Sequence, residues 1–117
     1  MRGDKENPIV NITFTFALEI IRFCEELENN RKFVISNQLL KSGTSIGAQV
    51  REAQNAESRA DFVHKMKIAA KECDEPIYWL RLCKKAYPLA NCDILIAKAK
   101  EITLILSKII STSKKSL

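Results

Sequence analysis

Arg59 and His64 are the first residues whose types suggest chemistry, an R-x4-H spacing that includes the chain's single histidine. A histidine can move a proton to or from an attacking or leaving oxygen, and an arginine can neutralise charge that builds on a phosphorane. Together they would cleave a phosphodiester; otherwise Arg59 is a solvated first-turn residue and His64 a surface one. The other cations offer different chemistry. Lys65, Lys67 and Lys71 lie within two helical turns, Arg81, Lys84 and Lys85 follow, and Lys98, Lys100 and Lys108 come later. Rows of such groups bind phosphate backbones and release counterions. Tyr78 and Trp79 are the aromatic residues nearest these rows. Phosphate and shape recognition without base readout is therefore expected.

No metal or cofactor is expected. Cys24, Cys73, Cys83 and Cys92 form no CxxC pair, and the clustered thiolates or imidazoles of a zinc site are missing. Cys24, Cys73 and Cys83 fall on apolar helical stripes, where reduced cysteines serve as small buried hydrophobes. Glu52, Glu57, Glu72 and Glu75 lack the inward Glu and E-x-x-H pattern of a di-metal bundle and read as solvated faces.

The elements that must carry these residues are long helices. The chain has 117 residues, 46% of them hydrophobic, with three Gly and three Pro, which suits one domain built from uninterrupted elements. No apolar run approaches the roughly 18 residues of a membrane span, and MRGDKENPIV has no apolar signal core, so a cytoplasmic protein is expected. The net charge of +5 is uneven. Three basic and six acidic groups in residues 1–30 give −3, eight and six in 31–75 give +2, and eight and two in 76–117 give +6. A basic half attracts polyanions, although excess lysine also solubilises a helical face.

Four helices are legible. The first spans about 11–29, capped by Asn11 or Thr13, with Phe16, Ile20, Phe23 and Leu27 as its buried stripe. The second spans about 32–55, with Ile35, Leu39, Ile46, Val50 and Ala53 inward and a polar seam of Gln38, Ser42, Ser45 and Gln49 beside them. The third starts at the capping box Ser58-Arg59-Ala60-Asp61 and reaches Tyr87, with a kink near 72–75 forced by Pro76. The fourth spans about 93–111 and is apolar nearly all round, more than one core stripe needs, so its surplus is expected to meet another subunit. Mid-helix glycine costs roughly 1 kcal/mol relative to alanine, which a close approach can justify. Gly43, Ser45 and Gly47, with Trp79, Ile96 and Leu104, are therefore assigned to an oligomer interface or to close helix packing. The reading is an all-α, antiparallel up-down-up-down four-helix bundle over residues 11–112. A flexible segment 1–10 precedes it and a frayed tail 113–117 follows.

The run from Leu39 to Leu82 resembles the bacterial 23S rRNA intervening-sequence proteins, also called S23 proteins. Ser42-Gly43-Thr44-Ser45-Ile46-Gly47-Ala48, Arg51-Glu52-Ala53, Glu57-Ser58, Asp61-Phe62, Ile68-Ala69, Lys71-Glu72 and Tyr78-Trp79-Leu80 carry the likeness, which extends over about residues 11–112. Gln49, where the family more often has Asn, and Pro76, in a turn usually filled by a helix former, depart from it. The resemblance implies a homopentameric ring of bundles. It also implies kinship with the accessory protein of diversity-generating retroelements, and so a reverse transcriptase as a possible partner. The expected function is non-catalytic nucleic-acid binding, of structured RNA or RNA/DNA, by an oligomer. A protein-interaction scaffold is the alternative. A ribonuclease resembling the HEPN type, using Arg59 and His64, is a distant one, and Ala60 stands where those enzymes favour a polar residue.

Overall fold

Five helical segments run through the residues that a computed structural model describes, 7–88 and 91–116. They are α1 (Pro8–Asn29), α2 (Phe33–Ala53), α3 (Arg59–Glu72), α4 (Asp74–Ala86) and α5 (Cys92–Lys114). α3 and α4 are the halves of one bent rod, so the architecture is an antiparallel four-helix bundle. α1 packs on α2 and α5, while α3 and α4 each pack on α2 and α5. The bent rod therefore lies diagonally across from α1, and α2 across from α5.

Pro76 accounts for the bend. It lacks the N–H that would bond the Glu72 carbonyl, so the helical hydrogen-bond ladder is interrupted at Cys73, which keeps helical backbone angles (φ −65°, ψ −26°) while its N–H reaches the Ala70 carbonyl at 3.3 Å. The second half restarts with Pro76 in its first turn, where a missing donor is tolerated, and with Asp74 and Glu75 at the favourable end of the helix dipole. At the start of α3 the Ser58 hydroxyl accepts the Asp61 N–H at 3.0 Å. The Asp61 carboxylate in return accepts the Glu57 N–H at 3.1 Å, one residue earlier than a standard box would place it. That bond holds the Asp61 carboxyl below its ordinary pKa.

The start of the first helix and the end of the last differ from expectation. α1 begins at Pro8, with proline at the first position and Asn7 before it, rather than at Asn11 or Thr13. Thr13 is instead buried within α1, its hydroxyl donating to the Ile9 carbonyl at 2.8 Å. α5 extends to Lys114 with Ser113 buried, so the expected frayed tail is helical for its first two residues. Of the segment expected to be flexible, residues 1–6 lie outside the described residues and the helix starts inside the remainder.

Phe16, Ile20, Leu27, Leu39, Ile46, Met66, Leu80, Ile102 and Leu106 are fully buried and form the centre of the core. All four cysteines are thiols outside any disulfide and are buried within it. Burial pushes the thiols of Cys24 and Cys83 to about 11, which keeps them protonated and inert at neutral pH.

Candidate nucleic-acid interface

The bend and the antiparallel register of α5 decide which cations meet. Lys84 pairs with Asp93 at 2.7 Å, Thr103 lies against Cys73, and Lys114 lies against Lys67. That register brings the turn of Lys108 level with the turn of Lys71. Lys67 and Lys114 thus meet across the α3/α5 seam with Lys71 one turn along from Lys67, while Lys108 projects about 120° around α5 from Lys114; all four are exposed. A side-chain hydrogen bond with Lys114, and then the charge of its ammonium, push the Lys67 pKa down.

The remaining expected phosphate ligands divide into two groups. Lys65 is half-buried and bridges Asp61 at 3.4 Å, one turn earlier on the same helix. Lys84 is held by Asp93, and Lys98 bonds the Glu19 carboxylate across the α1/α5 seam. These three are spent on internal ion pairs, which sequence spacing did not reveal. Arg81, Lys85 and Lys100 are exposed on α4 and α5. Arg59 and His64 are also exposed, but successive residues turn by about 100°, so the two project roughly 140° apart around α3. The fold does not bring them to one site.

The packing residues are resolved just as unevenly. A Cβ at Gly43 would stand 2.7 Å from Ile20 Cγ2, and one at Gly47 would stand 3.3 Å from the Thr13 carbonyl oxygen. Both glycines therefore lie where α2 crosses α1 within one chain. Ser45 donates to the Ser42 carbonyl at 3.0 Å, facing α3 near Glu72. Ile96 is buried, Trp79 half-buried, and Leu104 is 68% exposed. The surplus apolar surface expected on the last helix is mostly absorbed, because α5 touches α1, α3 and α4 and leaves only Ile94 and Leu104 as its exposed large hydrophobics among the described residues. The broader apolar face is on α1. There Phe14, Leu18 and Ile21 are exposed, and Phe14 and Ile21 border a groove of about 690 Å³ floored by Thr44, Gly47 and Ala48 of α2.

At the opposite end of α2 the fold assembles a cleft that the sequence reading missed. Arg31, Lys32 and Phe33 at the α1–α2 corner, Gln38 one turn on, Trp79 of α4, and Tyr87 border a cavity of about 500 Å³. The corner is a Schellman turn. The Lys32 N–H bonds the Leu27 carbonyl at 2.8 Å and the Arg31 N–H bonds the Glu28 carbonyl at 2.9 Å. Arg31 takes the left-handed position, φ 61°, that glycine usually fills. Its neighbour Lys32 holds its ammonium 4.9 Å above the centre of the Tyr87 ring. The available signal was the run Arg31-Lys32-Phe33-Val34, in which two cations precede apolar residues off the buried stripe.

These features define a class: a small antiparallel helical bundle whose outer faces carry cations, one apolar groove and one aromatic cleft. Residues 5–108 match the family described as 23S rRNA-intervening sequence protein, and the chain belongs to that family. It is also similar to a solved structure from Bacteroides thetaiotaomicron VPI-5482, determined at 1.70 Å, of a protein with unknown function from the S23 ribosomal protein family. The two share 41% identity and a TM-score of 0.81 over 87% of this chain and 97% of that one. No curated protein matches the chain.

Proposed function

We propose that the protein is a non-catalytic, oligomeric nucleic-acid-binding bundle, with RNA as its first candidate ligand. The observation that carries the reading is the Lys67–Lys114 contact. Lys67 and Lys114 from different helices interact side chain to side chain, with Lys71 one turn along from Lys67. Like charges repel unless an anion is shared between them, and a phosphate oxygen is the ligand that converts the repulsion into attraction. The family's name associates it with ribosomal RNA genes, which favours RNA over other polyanions. Repetition of this face around a ring would multiply a weak contact into a useful affinity.

Lys67→Glu tests this without harming the fold, since it replaces a repulsive pair with an attractive one. Fluorescence anisotropy with RNA and DNA, single- and double-stranded, across a salt series should show wild-type affinity falling steeply as salt rises. The variant should bind on the order of tenfold more weakly, with a shallower salt dependence, while its melting temperature holds or rises. Absence of binding by wild type even at low salt would reject the proposal.

A further inference from the structure

The corner cleft combines features that the phosphate-binding face lacks. Phe33 is 54% exposed although it is aromatic, and Val34 beside it is 80% exposed. Trp79 supplies a second ring from a different helix, and its indole N–H is already donated to the Glu75 carboxylate at 3.2 Å. Its polar edge is thus engaged, Tyr78 meets the ring in a T-shaped contact at 5.1 Å between centroids, and the remaining surface of the half-buried ring borders the cleft. Tyr87 closes another side beneath the Lys32 ammonium. Arg31 and Lys32 are the charged residues bordering the cavity, and neither carries a negative charge that would oppose a phosphate. Gln38 adds a side chain able both to donate and to accept a hydrogen bond.

We infer that this cleft is a stacking site for an unpaired nucleobase of single-stranded RNA or DNA, with Arg31 and Lys32 holding the flanking phosphates. The inference rests on the nucleic-acid reading above and deepens it, because the α3/α5 face would bind duplex and single strand alike whereas this cleft takes only a base freed from its stack. Flat aromatic surfaces accept any base, and adjacent cations hold the backbone, so the site reads strandedness and not sequence. A purely apolar partner surface would leave two cations at its border unpaired, which is why charge complementarity favours a polyanion here. The left-handed Arg31 fits the same role. Glycine would relax the turn, and arginine places a guanidinium at the mouth instead.

Phe33→Ala and Arg31→Gly test the inference. Phe33 is largely outside the core, and glycine suits the backbone at position 31, so both variants should fold. The probes are a short oligouridylate, the same strand with abasic sites, and a duplex of equal length, read by anisotropy and by the fluorescence of Trp79, the only tryptophan. Wild type should bind the intact strand on the order of tenfold more tightly than the abasic one and quench Trp79 as it does so. Phe33→Ala should lose that preference with duplex affinity unchanged, and Arg31→Gly should weaken strand binding while melting no lower than wild type. Equal binding of intact and abasic strands by wild type, with duplex binding retained, overturns this inference alone. If no probe binds wild type at low salt, both this inference and the proposed function fall. A smaller assembly for Phe33→Ala, with an unaltered strand preference, would assign the patch to a second copy of the chain and overturn the inference.

Discussion

Gly43 and Gly47 are both small residues on the α2 face that meets α1, yet their surroundings set opposite tolerances. At Gly43 a methyl group would enter the space of the Ile20 side chain, 2.7 Å from one carbon and 2.8 Å from another, and Ile20 is fully buried. Overpacking of this kind costs about 1–3 kcal/mol, against the roughly 1 kcal/mol that alanine gains over glycine in a helix. Gly43→Ala should therefore be destabilising by about 1–2 kcal/mol in urea titrations. Gly47→Ala meets the Thr13 carbonyl oxygen only at 3.3 Å, so the helical gain nearly offsets the crowding and stability should change little. Equal losses at both positions would show that the α1–α2 contact is looser at Ile20 than the geometry indicates. That these residues pack closely was legible from glycine placed mid-helix. Which glycine is the tighter required the partner, because Ile20 and Thr13 are brought there by the crossing of two helices.

At the scale of elements, the polar seam of α2 meets the bend of the third rod. Glu72 is the last residue of α3, and its Oε2 is buried with no hydrogen-bond partner. Burial raises its pKa above the usual glutamate value, the Ser45 hydroxyl across on α2 opposes the shift, and the Glu75 carboxylate adds to it. The folded state thus binds this proton more tightly than the unfolded state does. Stability linked to Glu72 must rise as pH falls through the folded pKa, and must be lowest once the buried carboxylate is charged. Glu72→Gln should melt higher than wild type at neutral pH, with the difference shrinking towards the ordinary carboxyl value of 4.5. A difference that stays constant with pH would assign the effect to packing. The bend itself could be read from Pro76, since a missing donor acts within its own turn. The buried carboxylate could not, because its desolvation depends on how closely α2 covers it.

Across the whole molecule, a body of 47 × 23 × 20 Å presents its main apolar face along α1. Phe14, Leu18 and Ile21 are exposed there beside the groove floored by Thr44, Gly47 and Ala48. An apolar patch of this kind on a small chain is a candidate contact between copies, and assembly is part of the proposed function. Leu18→Asp and Ile21→Asp together should lower the molar mass measured by light scattering while leaving helix content unchanged. They should also weaken nucleic-acid binding through lost avidity more than any single lysine substitution does. An unchanged mass would move the search for an interface to Ile94 and Leu104 on α5.

The division between sequence and tertiary structure follows the range of the forces involved. Periodicity, capping and proline chemistry act within one or two turns. The stripe Phe16-Ile20-Phe23-Leu27, the Ser58 cap and the Pro76 bend were therefore determined by the sequence alone. Ion pairing and exposure depend on neighbours distant in sequence. Only the fold decided that Lys98 is taken by Glu19 while Lys67 is left facing Lys114, and that α5 buries its surplus among three helices. The cleft that joins Arg31, Lys32 and Phe33 to Trp79 and Tyr87 belongs with these, since packing of α4 against α2 brings together residues more than forty positions apart.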